Sequence, residues 1–93
     1  MAQPSLPVNY HLELYTSSFA NDPFYGAKLN GPLGAFSVGD EFDTRTFDQF
    51  PLKVAAGSVG VIAKVQHILW EISGSHFSHK IMLVIDVKPR DER

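Results

Sequence analysis

The sequence predicts a mainly β protein, a small antiparallel barrel or roll with a long C-terminal hairpin and at most one or two short helical turns. Apolar and polar residues alternate with a two-residue period near the start of the chain, and two β-branched-rich runs flank a Gly-Ser turn near its end. The 93 residues, 44% hydrophobic and 19% charged, suit one globular domain. We therefore expect a single domain over residues 1–93, with residues 1–7 and 89–93 frayed.

The first strand is predicted over residues 8–15. Val8, Tyr10, Leu12 and Leu14 alternate with Asn9, His11, Glu13 and Tyr15. In an extended chain, successive side chains point to opposite faces of the sheet, so the first set would form the buried face. Residues 16–34 lack this period and are expected to be mainly loop.

Two short helical turns are predicted in the middle of the chain. Asp22 as N-cap and Pro23 as the first helical residue would start one turn over residues 24–29. The second turn is expected over residues 44–50, because Pro51 would end it.

Between the two turns, residues 36–43 predict two short strands around a Val38-Gly39-Asp40 turn. Glycine takes a positive φ in such a turn and the aspartate caps it. A Val-Gly-Asp turn followed by a long hairpin recurs in unrelated small barrels, including SH3-like and PUA-like architectures. This pattern therefore indicates a fold and no activity.

The C-terminal hairpin is predicted from residues 61–72 and 77–87. A two-residue turn at Gly74 and Ser75 would pair residues whose numbers sum to 149, with a β-bulge near Gln66 and His67 improving the apolar pattern. That register pairs Ile68 with Ile81, Trp70 with His79 and Ile72 with Phe77, and it leaves Leu69, Met82 and Val84 together on the outer face. His79 would then stack on Trp70.

The histidines are the candidate metal ligands of this sequence. His67 and His79 lie in the hairpin and His11 in the first strand, and a site would need them, or Glu13 in place of His11, to converge on one concave face. No metal and no other cofactor is predicted, because spacing alone does not bring three ligands together. Hydrogen bonding or stacking of these rings is the alternative interpretation.

The second candidate site is an acidic, phenylalanine-rich loop over residues 40–48. Its carboxylates could dock a basic partner, with Arg45 fixing orientation, or could simply be solvated. Together with two apolar residues of the hairpin, this loop gives the predicted partner-binding set. That set is Phe42, Asp40, Glu41, Asp43, Arg45, Leu69 and Met82.

Composition excludes several function classes. Cysteine is absent, which excludes disulfides, thiolate zinc sites and cysteine nucleophiles. A net charge of −2 argues against nucleic acid, which would require the few basic residues to gather on one face. Those residues are Lys53, Lys64, Lys80, Lys88 and Arg90. We expect a cytoplasmic protein, because no signal-peptide pattern or membrane-spanning stretch occurs.

Three functional hypotheses follow from these patterns. The first is a non-enzymatic module that binds a protein partner, or itself as a homodimer, through a strand edge or the acidic loop. The alternative is binding of a small ligand or a metal, with possible catalysis, at the histidine-bearing hairpin. Weak nucleic-acid binding comes third.

Overall fold

A computed structural model of the chain describes residues 6–43, 50–51, 54 and 56–89. Within these residues, four strands form one mixed sheet in the order β2-β1-β4-β3. β1 pairs with β2 and β3 with β4 in antiparallel fashion, whereas β1 and β4 run parallel. The strands are β1 (Val8–Thr16), β2 (Tyr25–Leu29), β3 (Ser58–Ile72) and β4 (His76–Pro89).

The mainly β fold class is confirmed, but the predicted antiparallel barrel is wrong, because β1 and β4 pair in parallel and the strands do not close. β2 and β3 are the two edges of the sheet and do not pair with each other. The sheet stays open because residues 36–43, expected to supply two more strands, contribute only a bridge between Glu41 and Val61. No helix in the described residues is long and apolar enough to span a membrane.

The first strand is confirmed, and the helical turn over residues 24–29 is wrong. The segment forms β2, with Tyr25 opposite Leu14 and Leu29 opposite Tyr10. The reason is tertiary: the backbone N–H of Phe24 donates to the carbonyl of Leu14 at 2.8 Å and starts an antiparallel ladder. Six residues are too few for an isolated helix to compete with that pairing.

The Val38-Gly39-Asp40 turn has the predicted form. Gly39 has a φ of 97°, the N–H of Asp40 donates to the carbonyl of Ser37 at 3.1 Å, and the Asp40 carboxylate accepts from the N–H of Ser37 at 3.0 Å. Residues 39–42 then bond to residues 60–62 and cover the outer side of β3 at its start. Of the helical turn predicted over residues 44–50, residues 44–49 lie outside the described residues.

The C-terminal hairpin is confirmed, but its predicted register is wrong by one residue. Ile72 lies opposite His76 and Leu69 opposite His79. The connection has three residues instead of two, because Ser73 and Gly74 both take positive φ, 32° and 75°, and Ser75 N–H donates to the carbonyl of Ile72.

The β-bulge also lies elsewhere than predicted. The register shifts between Ile62 and Lys64, so Ala63 is the extra residue, three positions before the expected site. At the two ends of the sheet, Pro7 accepts a hydrogen bond from the N–H of Phe77 and Pro89 is the last residue of β4. Leu6 is half-buried, and the other residues expected to fray, 1–5 and 90–93, lie outside the described residues.

Each face of the sheet carries its own apolar cluster. The core face is covered by residues from the loops, whereas the reverse face has a smaller cluster. On the core face Leu12, Leu14, Ile62, Ile81, Leu83 and Ile85 are buried, with Phe24, Tyr25, Leu29, Phe36, Phe42, Phe50 and Val65 packed against them. On the reverse face Tyr15, Met82 and Val84 are buried against Phe19, Ala63 and Ile68.

Candidate functional site

Two histidines meet on the core face near the hairpin turn. His67 lies opposite Ile81 and His79 opposite Leu69, so the two rings are diagonal neighbours on adjacent strands. Nδ1 of His67 is 2.9 Å from Nε2 of His79. The ring centroids are 5.2 Å apart and the ring planes differ by 25°, so the two nitrogens lie between the rings and face each other.

The surroundings of this histidine pair fix one ring more than the other. Tyr10, the neighbour of His79 on β1, places its ring edge-on to that imidazole at 6.1 Å. His79 is half-buried, whereas His67 is exposed. Leu69, 65% exposed, lies beside the pair on the same face. The histidine pair is therefore exposed to solvent on the core face, and Tyr10 of β1 contacts it at His79.

The other candidate ligands do not join this pair. His11 lies on the reverse face, where its ring stacks on Trp70 at 6.4 Å, and Glu13 on that face pairs with Lys80. The expected stacking of His79 on Trp70 is wrong, because the one-residue register shift places Trp70 opposite Ser78. Within the described residues, no three His, Cys, Asp or Glu side chains form a group suited to a metal ion.

The reverse face carries a groove of about 420 Å³ that sequence reasoning missed. Gly26 leaves a gap in the side-chain layer opposite Glu13, and Trp70 and His11 form one wall. Its lining residues are His11, Leu12, Glu13, Gly26, Ala27, Lys28, Trp70 and Lys80. One signal of this groove is present in the sequence. Gly26 and Lys28 are two residues apart, as are His11 and Glu13, so each pair would share a face of a strand.

A polar chain runs along the reverse face beside this groove. The hydroxyl of Tyr15 donates to Oε1 of Glu13 at 2.6 Å, and Nζ of Lys80 lies 3.3 Å from the same oxygen. Burial, followed by the hydrogen bond to Glu13 and the charges of Glu13 and Asp22, together raise the pKa of Tyr15 to about 12. These two contacts hold the Tyr15, Glu13 and Lys80 side chains together on the reverse face.

The acidic loop and the hairpin residues of the predicted partner-binding set lie far apart. Glu41 bridges to Val61, and Leu69 follows eight residues further along β3, a distance of about 26 Å. Asp40, Glu41 and Asp43 are exposed, while Phe42 packs against the core cluster. Met82 is buried on the reverse face, opposite in direction to Leu69. Arg45 lies outside the described residues.

Three of the five basic residues considered for nucleic-acid binding, Lys64, Lys80 and Lys88, lie on the reverse face. Lys64 lies opposite Val84 on the reverse face, and Lys80 and Lys88 follow the same two-residue period on β4. The ion pair with Glu13 offsets the charge of Lys80. Lys53 and Arg90 lie outside the described residues.

The outer side of β3 is the longest exposed strand edge of the described structure. Residues 39–42 pair with it only at residues 60–62, and no other described segment bonds to that side. Residues 64–72, here called the distal edge, carry three exposed apolar side chains. These are Leu69 at 65%, Trp70 at 38% and Ile72 at 41% exposure.

Comparison of the chain with protein-family models, with curated proteins and with solved structures gives no match.

Proposed function

We propose that the protein is a non-enzymatic interaction module that associates through the distal edge of β3, with a second copy of the chain as its partner. The observation that supports this function is the length and apolar character of that edge, with Leu69 and Trp70 exposed on opposite faces. Backbone N–H and C=O groups along a strand edge bind another strand, and apolar side chains beside them add buried area.

The acidic loop is the less favoured surface for this association. Of its two phenylalanines, Phe42 packs against the core cluster, as do Phe36 and Phe50 on either side of the loop, and Phe47 lies outside the described residues. The Asp40 carboxylate accepts the N–H of Ser37 within the turn. Side chains that pack into the interior contribute little to docking, so the described part of the loop, residues 40–43, offers charges and no exposed apolar side chain.

A second copy suits the distal edge because antiparallel pairing of two identical edges closes on a two-fold axis. The only residues of the distal edge with a formal charge are Lys64 and Glu71, which are opposite in sign. Two copies of this edge therefore meet without a row of like charges, and the net charge of −2 adds little repulsion between chains.

The test is the molecular mass of the chain in solution over a wide range of concentration. Analytical ultracentrifugation should show a reversible monomer–dimer equilibrium for the wild-type chain. Leu69→Lys should raise the dissociation constant of the dimer at least tenfold, because it places a cation at the centre of the apolar edge. Val38→Lys is the matched control, since Val38 is equally exposed, at 66%, but lies in the loop.

Two results would overturn this proposal. One is a wild-type chain that stays monomeric at every concentration, and the other is a dimer weakened equally by Leu69→Lys and Val38→Lys. Loss of the dimer in Asp43→Lys, with Leu69→Lys unaffected, would instead assign the interface to the acidic loop.

A further inference from the structure

We propose that His67 and His79 form a two-coordinate site for a divalent transition-metal ion such as Zn²⁺, with the remaining coordination positions open. This inference does not depend on association of the chain. It starts from the separation of the two facing ring nitrogens, 2.9 Å, on an exposed part of the core face.

The distance suits an ion bound between the rings. Imidazole nitrogens bind zinc at about 2.0–2.1 Å, so two nitrogens of one ion at angles of about 90° to 110° lie about 2.9–3.4 Å apart. The observed separation falls at the short end of that range. No backbone movement is needed to bring the two ligands to one ion.

Binding requires a change of tautomer and a small tilt of one ring. In the hydrogen-bonded pair one facing nitrogen carries a proton, and a metal ion needs both facing nitrogens unprotonated. In a neutral pair that proton moves to the other nitrogen of the same ring, so the rings keep their total number of protons. His67 is exposed and can tilt, while Tyr10 holds His79 in place.

The neighbours of the pair leave the other coordination positions to water or to an external ligand. The side chains around it on the core face are Tyr10, Leu69 and Ile81, none of which is a carboxylate. The nearest acidic residue of β3, Glu71, accepts a hydrogen bond from the N–H of Gly74 at 3.0 Å in the turn. Two imidazoles and solvent make an open site of the kind that exchanges ligands.

The experiment titrates the full chain with Zn²⁺ alone and follows calorimetric heat and the imidazole resonances in NMR spectra. We expect one ion for each chain, with shifts confined to His67 and His79. His67→Ala and His79→Gln should each weaken binding at least tenfold. The matched controls are His11→Ala and His76→Ala, which remove histidines on the reverse face and at the turn and should leave binding unchanged.

Folding of each variant is checked by far-ultraviolet circular dichroism, and His67→Ala is the decisive variant because its side chain is exposed. Zinc binding unchanged in that variant would overturn the proposal, as would shifts centred on His11 or His76. So would a wild-type chain that gives neither heat nor shifts. Repeating the titration at a concentration where the chain is monomeric separates this result from that of the association test.

Discussion

At the scale of single residues, the reverse face concentrates its polar chemistry on one carboxylate. Glu13 accepts the Tyr15 hydroxyl and pairs with Lys80 through the same oxygen. Tyr15 is only 5% exposed, so its neutral form is strongly favoured in the folded chain. Ionisation would bury a second negative charge beside Glu13.

The raised pKa of Tyr15 predicts a loss of stability at high pH. The folded chain keeps the phenol proton while the unfolded chain releases it, so this contribution is complete below pH 10 and is lost as the pH rises towards 12. The full change amounts to about 2–3 kcal/mol. Urea unfolding between pH 9 and 12 measures it, with Tyr15→Phe as the comparison. An equal decline of stability in the wild-type chain and in Tyr15→Phe would contradict the assignment of this loss to Tyr15.

At the scale of elements, the hairpin turn decides which residues share a face. Ser73 occupies a position with positive φ, where a residue with a β-carbon is strained unless it is asparagine or aspartate. Gly74 follows with a φ of 75°, and two consecutive positive φ angles favour an Asn-Gly pair. The native Ser-Gly pair therefore leaves room for stabilisation.

Ser73→Asn should stabilise the protein by about 0.5–1 kcal/mol, because asparagine tolerates this backbone conformation better than serine. The melting temperature should rise by a few degrees in a domain of this size. Ser75→Asn is the control, since Ser75 does not have a positive φ, and it should give no gain. A melting temperature for Ser73→Asn at or below that of the native chain would show that the turn is not strained at this position.

The strands of the hairpin and the first strand could be predicted from their composition and two-residue period. The register could not, because Ser73 gives no sign in the sequence that it will take a positive φ and lengthen the turn by one residue. One residue of slip moves each side chain to the other face. The predicted stacking of Trp70 on His79 failed for this reason, while His67 and His79 became neighbours.

At the scale of the whole molecule, stability depends on burial on both faces of the central strand β4. Leu83 and Ile85 are fully buried on the core face and Val84 on the reverse face. A chain of 93 residues has a small core, so each of these side chains is a large share of the apolar area available.

Leu83→Ala should therefore lower the free energy of unfolding by about 3 kcal/mol, through lost burial and the cavity that remains. Leu69→Ala changes the same residue type on the same face at an exposed position and should cost less than about 0.5 kcal/mol. Urea denaturation of the two variants measures both losses of stability. Similar losses in the two variants would show that the core lies elsewhere.

The sequence alone determined that the chain is mainly β and that its last third is a hairpin, because alternation of side chains is a local property of each strand. Tertiary structure decided the parallel pairing of β1 with β4, the edge position of β3 and the meeting of His67 with His79. These depend on which strand pairs with which and in what register. Hydrogen bonds between distant segments, such as that from the N–H of Phe77 to the carbonyl of Pro7, set those pairings, and a two-residue period does not encode them.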